Sequence, residues 1–230
     1  MKSVRIFSAV AVALAFAFAA CSNDDGFVAT PSATGTFTDA DGTVYHWVRI
    51  GGLDWMTENY RGGEAWYTQS YVANGIEDKF EVGDKAVEDS LIAKHGNYLT
   101  WQQAKDCAPE GWRLPADADY QSLETALGMS AGDAGKEGWR KGAGTLMTQQ
   151  GPDVQLAFPL AGELGAYSTA YPSKYHVGDY GCYWTATQDT TKSNECVFIR
   201  VLVAGQDMVQ RVPCPTSLRW MSVKYVRDAK

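Results

Sequence analysis

A chain of 230 residues with 45% hydrophobic content can bury one sizeable core, and no repeat or composition shift asks for a second domain. Its formal charge of −7 becomes −9 once the leader cations Lys2 and Arg5 are lost. So acidic a chain excludes nucleic acid and anionic lipid surfaces as main partners, because both are bound through Lys and Arg.

Lys2 and Arg5 precede an apolar run from Ile6 to Ala20. The run is too short and too rich in alanine for a membrane span and has the shape of a signal peptide over residues 1–20. It closes on Phe18-Ala19-Ala20-Cys21. Small residues before a cysteine resemble a bacterial lipobox, which implies lipidation of Cys21 as the mature N-terminus; an ordinary secretory signal is the alternative. Ser22-Asn23-Asp24-Asp25-Gly26 is similar to the acidic tracts that accompany surface export of lipoproteins in Bacteroidetes, and equally to a solvated linker. Residues 21–35 are expected to form a tether and 36–230 the folded domain.

Asp41-Gly42, between Phe37-Thr38 and the alternating run Val44 to Ile50, signals a tight hairpin turn with both central residues at positive φ. The same stretch lacks the third oxygen ligand and distal glutamate of a calcium loop. Arg61 to Gly96 is weakly patterned and expected to be surface loop, with a short helix over Val87 to His95. Thr100 followed by Gln103 is a capping box, with Trp101, Ala104 and Cys107 on one helical face and Pro109 and Gly111 ending the helix. A second helix follows Pro115, with Asp117 as a cap, Tyr120, Leu123 and Leu127 inward and Gly128 at its end. Gly128 to Gly151 and Ala166 to Cys182 are expected to be irregular. Strands are expected over Tyr183–Thr187, Cys196–Val203, Met208–Val212 and Leu218–Val226. Short helices followed by a mostly antiparallel sheet predict an α+β domain.

Thr100-Trp101, Ala104, Cys107, Pro109, Gly111-Trp112-Arg113-Leu114-Pro115, Tyr120 and Leu123 resemble the core signature of the Fibrobacter succinogenes major paralogous domain family. Phe37-Thr38-Asp39, Trp55-Met56-Thr57-Glu58-Asn59, Phe158-Pro159, Tyr183-Trp184-Thr185-Ala186-Thr187 and Ser222 to Asp228 are similar to its other blocks, in order. The resemblance implies a C-type lectin-like fold, two short helices packed on a mostly antiparallel sheet with long irregular loops. It implies little chemistry.

Four cysteines remain beyond Cys21: Cys107, Cys182, Cys196 and Cys214. An even number in an exported chain predicts two disulfides, with three connectivities open. In lectin-like folds the first-helix cysteine usually pairs with the final strand, but Tyr225 stands where the family usually carries that cysteine, so the partner of Cys107 is left open.

The wide cysteine spacing and the three isolated histidines, His46, His95 and His176, give no metal pattern, and no G-x-S-x-G supports a hydrolase. No catalytic residue, metal or cofactor is expected. Gln150-Gly151-Pro152-Asp153 departs from the calcium-lectin motif, and no Trp-Asn-Asp follows it. Trp66, Tyr67, Tyr71, Trp139, Tyr167, Tyr171 and Tyr175 fall in loop-like regions, where they could stack on a sugar face without metal, or pack against their own loops. Trp101, Trp112, Trp184 and Trp220 are assigned to core. The expectation is a non-catalytic, surface-exposed outer-membrane lipoprotein at the cell envelope. It would act in binding or adhesion, with a glycan or another surface protein as partner.

Overall fold

A computed structural model gives the fold and describes residues 30–149, 156–165, 173–192 and 195–229. The expected leader, Cys21, the acidic tract, Gln150–Asp153, Tyr167 and Tyr171 lie outside these residues. Regular structure begins with β1 (Thr34–Thr38), two residues inside the expected tether, followed by β2 (Val44–Ile50) and β3 (Leu53–Met56). After one 3-10 turn at Trp66–Thr68 come β4 (Ser70–Ala73) and β5 (Ile76–Lys79). The helices α1 (Lys85–His95), α2 (Trp101–Asp106), α3 (Asp117–Ala126) and α4 (Ala131–Ala134) precede β6 (Gly138–Lys141) and α5 (Gly144–Thr148). The remainder is strand: β7 (Glu163–Gly165), β8 (Ser173–Tyr175), β9 (Tyr180–Gln188), β10 (Cys196–Val203), β11 (Met208–Pro215), β12 (Arg219–Met221) and β13 (Val226–Asp228).

These strands form antiparallel sheets in the orders β1-β2-β3-β13, β6-β11-β10-β9, β12-β7-β8 and β4-β5. The domain is mixed α+β, with several sheets and five helices among the described residues where three short helices and one sheet were expected. The capping box is present: the Thr100 side chain accepts from the Gln103 N–H and the Gln103 side chain from the Thr100 N–H. Two turns depart from expectation. Thr38 pairs with Val44, so the β1–β2 loop is wider than a two-residue turn. Only Gly42 in it has positive φ, while Asp39 Oδ1 accepts from the Asp41 and Thr43 N–H groups and holds the loop. The two-residue hairpin lies instead at Asn74-Gly75, both at positive φ, joining β4 to β5 inside a stretch expected to be loop.

Gly128 to Lys141 is likewise not an irregular excursion. Trp139, Arg140 and Lys141 pair with β11 as an edge strand. Leu218 to Val226 is two short strands, β12 and β13, interrupted where Lys224 turns inward. The Lys224 ammonium is wholly buried and donates to the carbonyls of Met56 (3.2 Å), Thr57 and Leu156 (2.9 Å), with the Phe158 ring 4.6 Å away. Burial pulls it down to about 7, against the attraction of Glu58.

The central strand β10 carries core on both faces. Val197, Ile199 and Val201 join Tyr45, Leu99, Trp184 and Tyr225 in one apolar cluster, while Leu202 joins Trp55, Tyr120, Leu123 and Phe158 in another. Arg200, on the latter face, has no solvent exposure. Its Nε donates to Glu124 Oε1 at 2.6 Å and its Nη1 to Asp117 Oδ1 at 2.7 Å, and its guanidinium lies over Tyr120. Arg140 grips the other side of Glu124 at 2.7 and 3.0 Å, and Arg211 forks onto Asp117 at 2.9 to 3.0 Å. Asp117 is therefore not the helix cap; Ala116 holds that position, and the Asp119 carboxylate accepts from its N–H.

Among the described residues neither expected disulfide is formed, and Cys107, Cys182 and Cys214 are free thiols. Cys182 on β9 and Cys214 on β11 flank β10, which by strand spacing alone keeps their Cα atoms at least about 9 Å apart, beyond bridging reach. Cys196 faces Pro215 while Cys214 faces Val197, so those two thiols leave opposite faces of the sheet. Cys107 closes α2 and lies beside Gly63. The helix-to-final-strand tie is made by Tyr225 itself, whose hydroxyl donates to the Ala104 carbonyl at 2.9 Å. Burial pushes the Cys214 thiol up to about 12 and raises Cys182 and Cys107 as well, which leaves them weak nucleophiles.

Two outcomes follow. Burial alone would raise the Asp117 carboxyl, but hydrogen bonds from Arg211 and Arg200 hold it below the ordinary value of 3.8. On acidification the unfolded chain therefore takes that proton first. Its stabilisation is complete above about pH 4 and is lost as pH falls through the lower folded value. Asp117→Asn is expected to cost about 3 kcal/mol in urea unfolding at pH 7, because Arg211 loses its counter-charge and Arg200 one of its two, with the gap to the parent narrowing toward pH 3. A gap that does not narrow would mean that the carboxylate charge is not what holds α3. In the unreduced, denatured protein, Cys107, Cys182, Cys196 and Cys214 should all react with a thiol reagent; two or fewer reactive thiols among them would show that a bridge forms.

Candidate functional site

Aromatic residues of the first sheet and the α2–α3 connection stack in sequence. Tyr60 lies on Tyr45 (5.8 Å between centroids), Tyr45 on Phe37 (5.3 Å) and Phe37 on Trp112 (4.4 Å). The Arg227 guanidinium continues the row between Trp112 (4.6 Å) and Trp47 (4.9 Å), and its Nε donates to Asp54 at 2.9 Å. The row fixes the β1–β2 loop against the end of α2, and between them opens a cleft of about 530 Å³, within the range of small-ligand sites.

Phe37, Tyr60 and Trp112 form its apolar wall, and Asp39, Asp41, Asp106 and Glu110 supply four carboxylates. Arg227 is the one cation lining it among the described residues, already held by Asp54 and two indoles. Asp39 uses Oδ1 to brace its own loop, and Oδ2 has no hydrogen-bond partner. Asp106 accepts from the Gln102 amide. Tyr60 is only 7% exposed, and no hydrogen bond among the described residues acts on its hydroxyl. Burial raises the Tyr60 hydroxyl, helped by the nearby Asp39 and Asp41 carboxylates, which places the phenol close to the cleft's acidic side. Because Trp112 is stacked by Phe37 and Arg227, the cleft meets a ligand with hydrogen-bonding groups more than with open ring faces. No group of three or more His, Cys, Asp or Glu among the described residues converges to hold a metal.

Among the described residues the aromatic platform expected from sequence is not assembled. Trp66 (4% exposed) and Tyr71 (9%) belong to an interior cluster with Phe80, Tyr98 and Trp220, in edge-to-face and tilted contacts of 5.1 to 6.4 Å. Buried rings cannot stack on a sugar, so both are corrected to core. The Asn97 side chain holds that loop inward, accepting from the Trp66 N–H and donating to the Gly62 and Glu64 carbonyls. Tyr67 is half-buried, edge-on to Trp66 and bonded to Asp89. With Phe80, Lys79 and Lys85 it lines a separate depression of about 550 Å³. Trp139 is 43% exposed but sits on β6, in a different sheet. Tyr175 is placed by its backbone on β8, opposite Glu163.

The cleft residues escaped the sequence reading because Asp39-Ala40-Asp41 and Asp106 to Glu110 read as turn punctuation, and nothing local says that the two turns meet. No helix among the described residues is long and apolar enough to cross a membrane. Comparison with curated proteins and with solved structures gives no match. The model of the Fibrobacter succinogenes major domain matches residues 48–227, which spans β2 to β13 and includes the Trp112 and Arg227 walls of the cleft. The chain belongs to the Fibrobacter succinogenes major domain family.

Proposed function

We propose that this protein is a non-catalytic binding module of the cell envelope, anchored at the outer membrane through Cys21 and displayed at the surface. Its fold is a C-type lectin-like variant, and it takes glycans, without calcium, in the cleft between the β1–β2 loop and α2. The observation that carries the reading is the cleft itself: a braced cavity of about 530 Å³ whose carboxylates present acceptors to a ligand rich in hydroxyl donors. The bond from Tyr225 to the Ala104 carbonyl supports the lectin-like reading, since it joins the helix and the last strand at the place where that fold is commonly tied. The exposed Val72 and Ile76 on the β4–β5 hairpin favour the second reading, a structural or assembly protein that meets another surface protein there.

A glycan-array screen of the purified protein, run with calcium and again with chelator, separates the two. The expected result is chelator-resistant binding that weakens about tenfold in Asp41→Asn/Glu110→Gln and is unchanged in Trp139→Ala. Silence across the array would move the assignment to a protein partner. Loss of binding in Trp139→Ala alone would place the site on the β6 edge. For the anchor, Cys21→Ala is expected to abolish incorporation of labelled lipid in cells, and persistent labelling would defeat the lipoprotein assignment.

A further inference from the structure

We infer that the cleft is selective for saccharides bearing free amines, so that its ligand is a de-N-acetylated, cationic glycan rather than a neutral one; this rests on the glycan reading above. Asp39, Asp41, Asp106 and Glu110 surround the opening, while the lining cation, Arg227, is engaged by Asp54 and stacked between Trp47 and Trp112. The cleft therefore presents an uncompensated negative field to whatever enters.

Two unpartnered polar groups stand in its wall. The Tyr60 side chain is more than nine-tenths buried, yet its hydroxyl has no hydrogen-bond partner among the described residues and neighbours Asp39 and Asp41. The Asp39 Oδ2 is closed off from solvent and accepts nothing. Acceptors left open on a cleft wall suit an ammonium, which carries three donors and no acceptor.

The carboxylates do not converge in the manner of a metal site. They are spread around the rim, an arrangement that suits several amines along one molecule better than a single point charge. An N-acetylated sugar would offer these carboxylates an uncharged amide in place of each cation. It would also force the acetyl group against Asp41 or Glu110 without a positive charge to offset their desolvation.

The test is calorimetric titration of the purified protein with glucosamine oligosaccharides, with N-acetylglucosamine oligosaccharides of equal length, and with spermidine. The expected result is binding of the free-amine oligomer at least about tenfold tighter than its acetylated counterpart, weakening as salt is raised. Asp41→Asn/Glu110→Gln should reduce it about tenfold or more, with the thermal melt unchanged because both side chains are exposed. Tyr60→Phe, which keeps the stacked ring and removes only the hydroxyl, should reduce it severalfold. Equal binding of the two saccharides would overturn the amine selectivity and leave the glycan reading standing. Binding of spermidine with silence toward both saccharides would overturn the proposal from the other side, leaving an amine site and no glycan function. Unchanged affinity in the carboxylate variant, or no binding of any probe, would also overturn it.

Discussion

The fold depends on burying Arg200. A guanidinium in the middle of the central strand has no route to water, so two carboxylates must be brought to it, and both come from one face of α3. Once Asp117 and Glu124 are committed to Arg200, their remaining oxygens draw in Arg211 from β11 and Arg140 from β6. Helix position, strand order at the sheet edge and the path of the chain between α4 and β6 are then all consequences of satisfying one cation. Such a network contributes little net stability compared with a well-packed apolar core, but removing any single member leaves the others uncompensated in a dry interior. It also admits no shift of α3 along the sheet, because no other register returns both carboxylates to Arg200.

That network shows why part of the structure was legible in the sequence and part was not. The two helices around Gly111 to Pro115 were readable, since a capping box and a 3.6-residue apolar period are local signals. The long strand Cys196–Val203 was readable for the same reason. Arg200 was not: within an alternating strand an arginine reads as the solvent-facing position, and only the partners on α3 make its burial tolerable. Asp117 read as a cap because its place after a proline suits one. The Asn74-Gly75 hairpin was a missed local signal, since two short runs around that dipeptide name a type I′ turn without any tertiary information. The β6 strand had no such signal, with glycines on both sides and a charged centre, and it exists because β11 offers an edge and Glu124 offers Arg140 a counter-charge.

The candidate site was less visible than the fold. Aromatics in polar stretches suggested a platform, but rings in a loop of this size bury more apolar area by packing on one another than by waiting for a ligand, and Asn97 supplies the hydrogen bonds that let the loop fold over Trp66. What remains at the surface is a cleft whose acids belong to two turns far apart in the chain. Its rings are braced in a row that runs from Tyr60 to Trp47, so the wall is rigid and the polar groups on it are held in place before any ligand arrives.

The position of β1 has a mechanical consequence. The chain enters β1 at Thr34 and the cleft's loop begins just past Thr38, so on the proposed reading the two ends of one five-residue strand, about 13 Å apart, would carry attachment and capture. In a chain tethered through its N-terminus, tension between tether and ligand runs along that strand. It loads the in-register hydrogen bonds to β2 together in shear instead of peeling them one at a time.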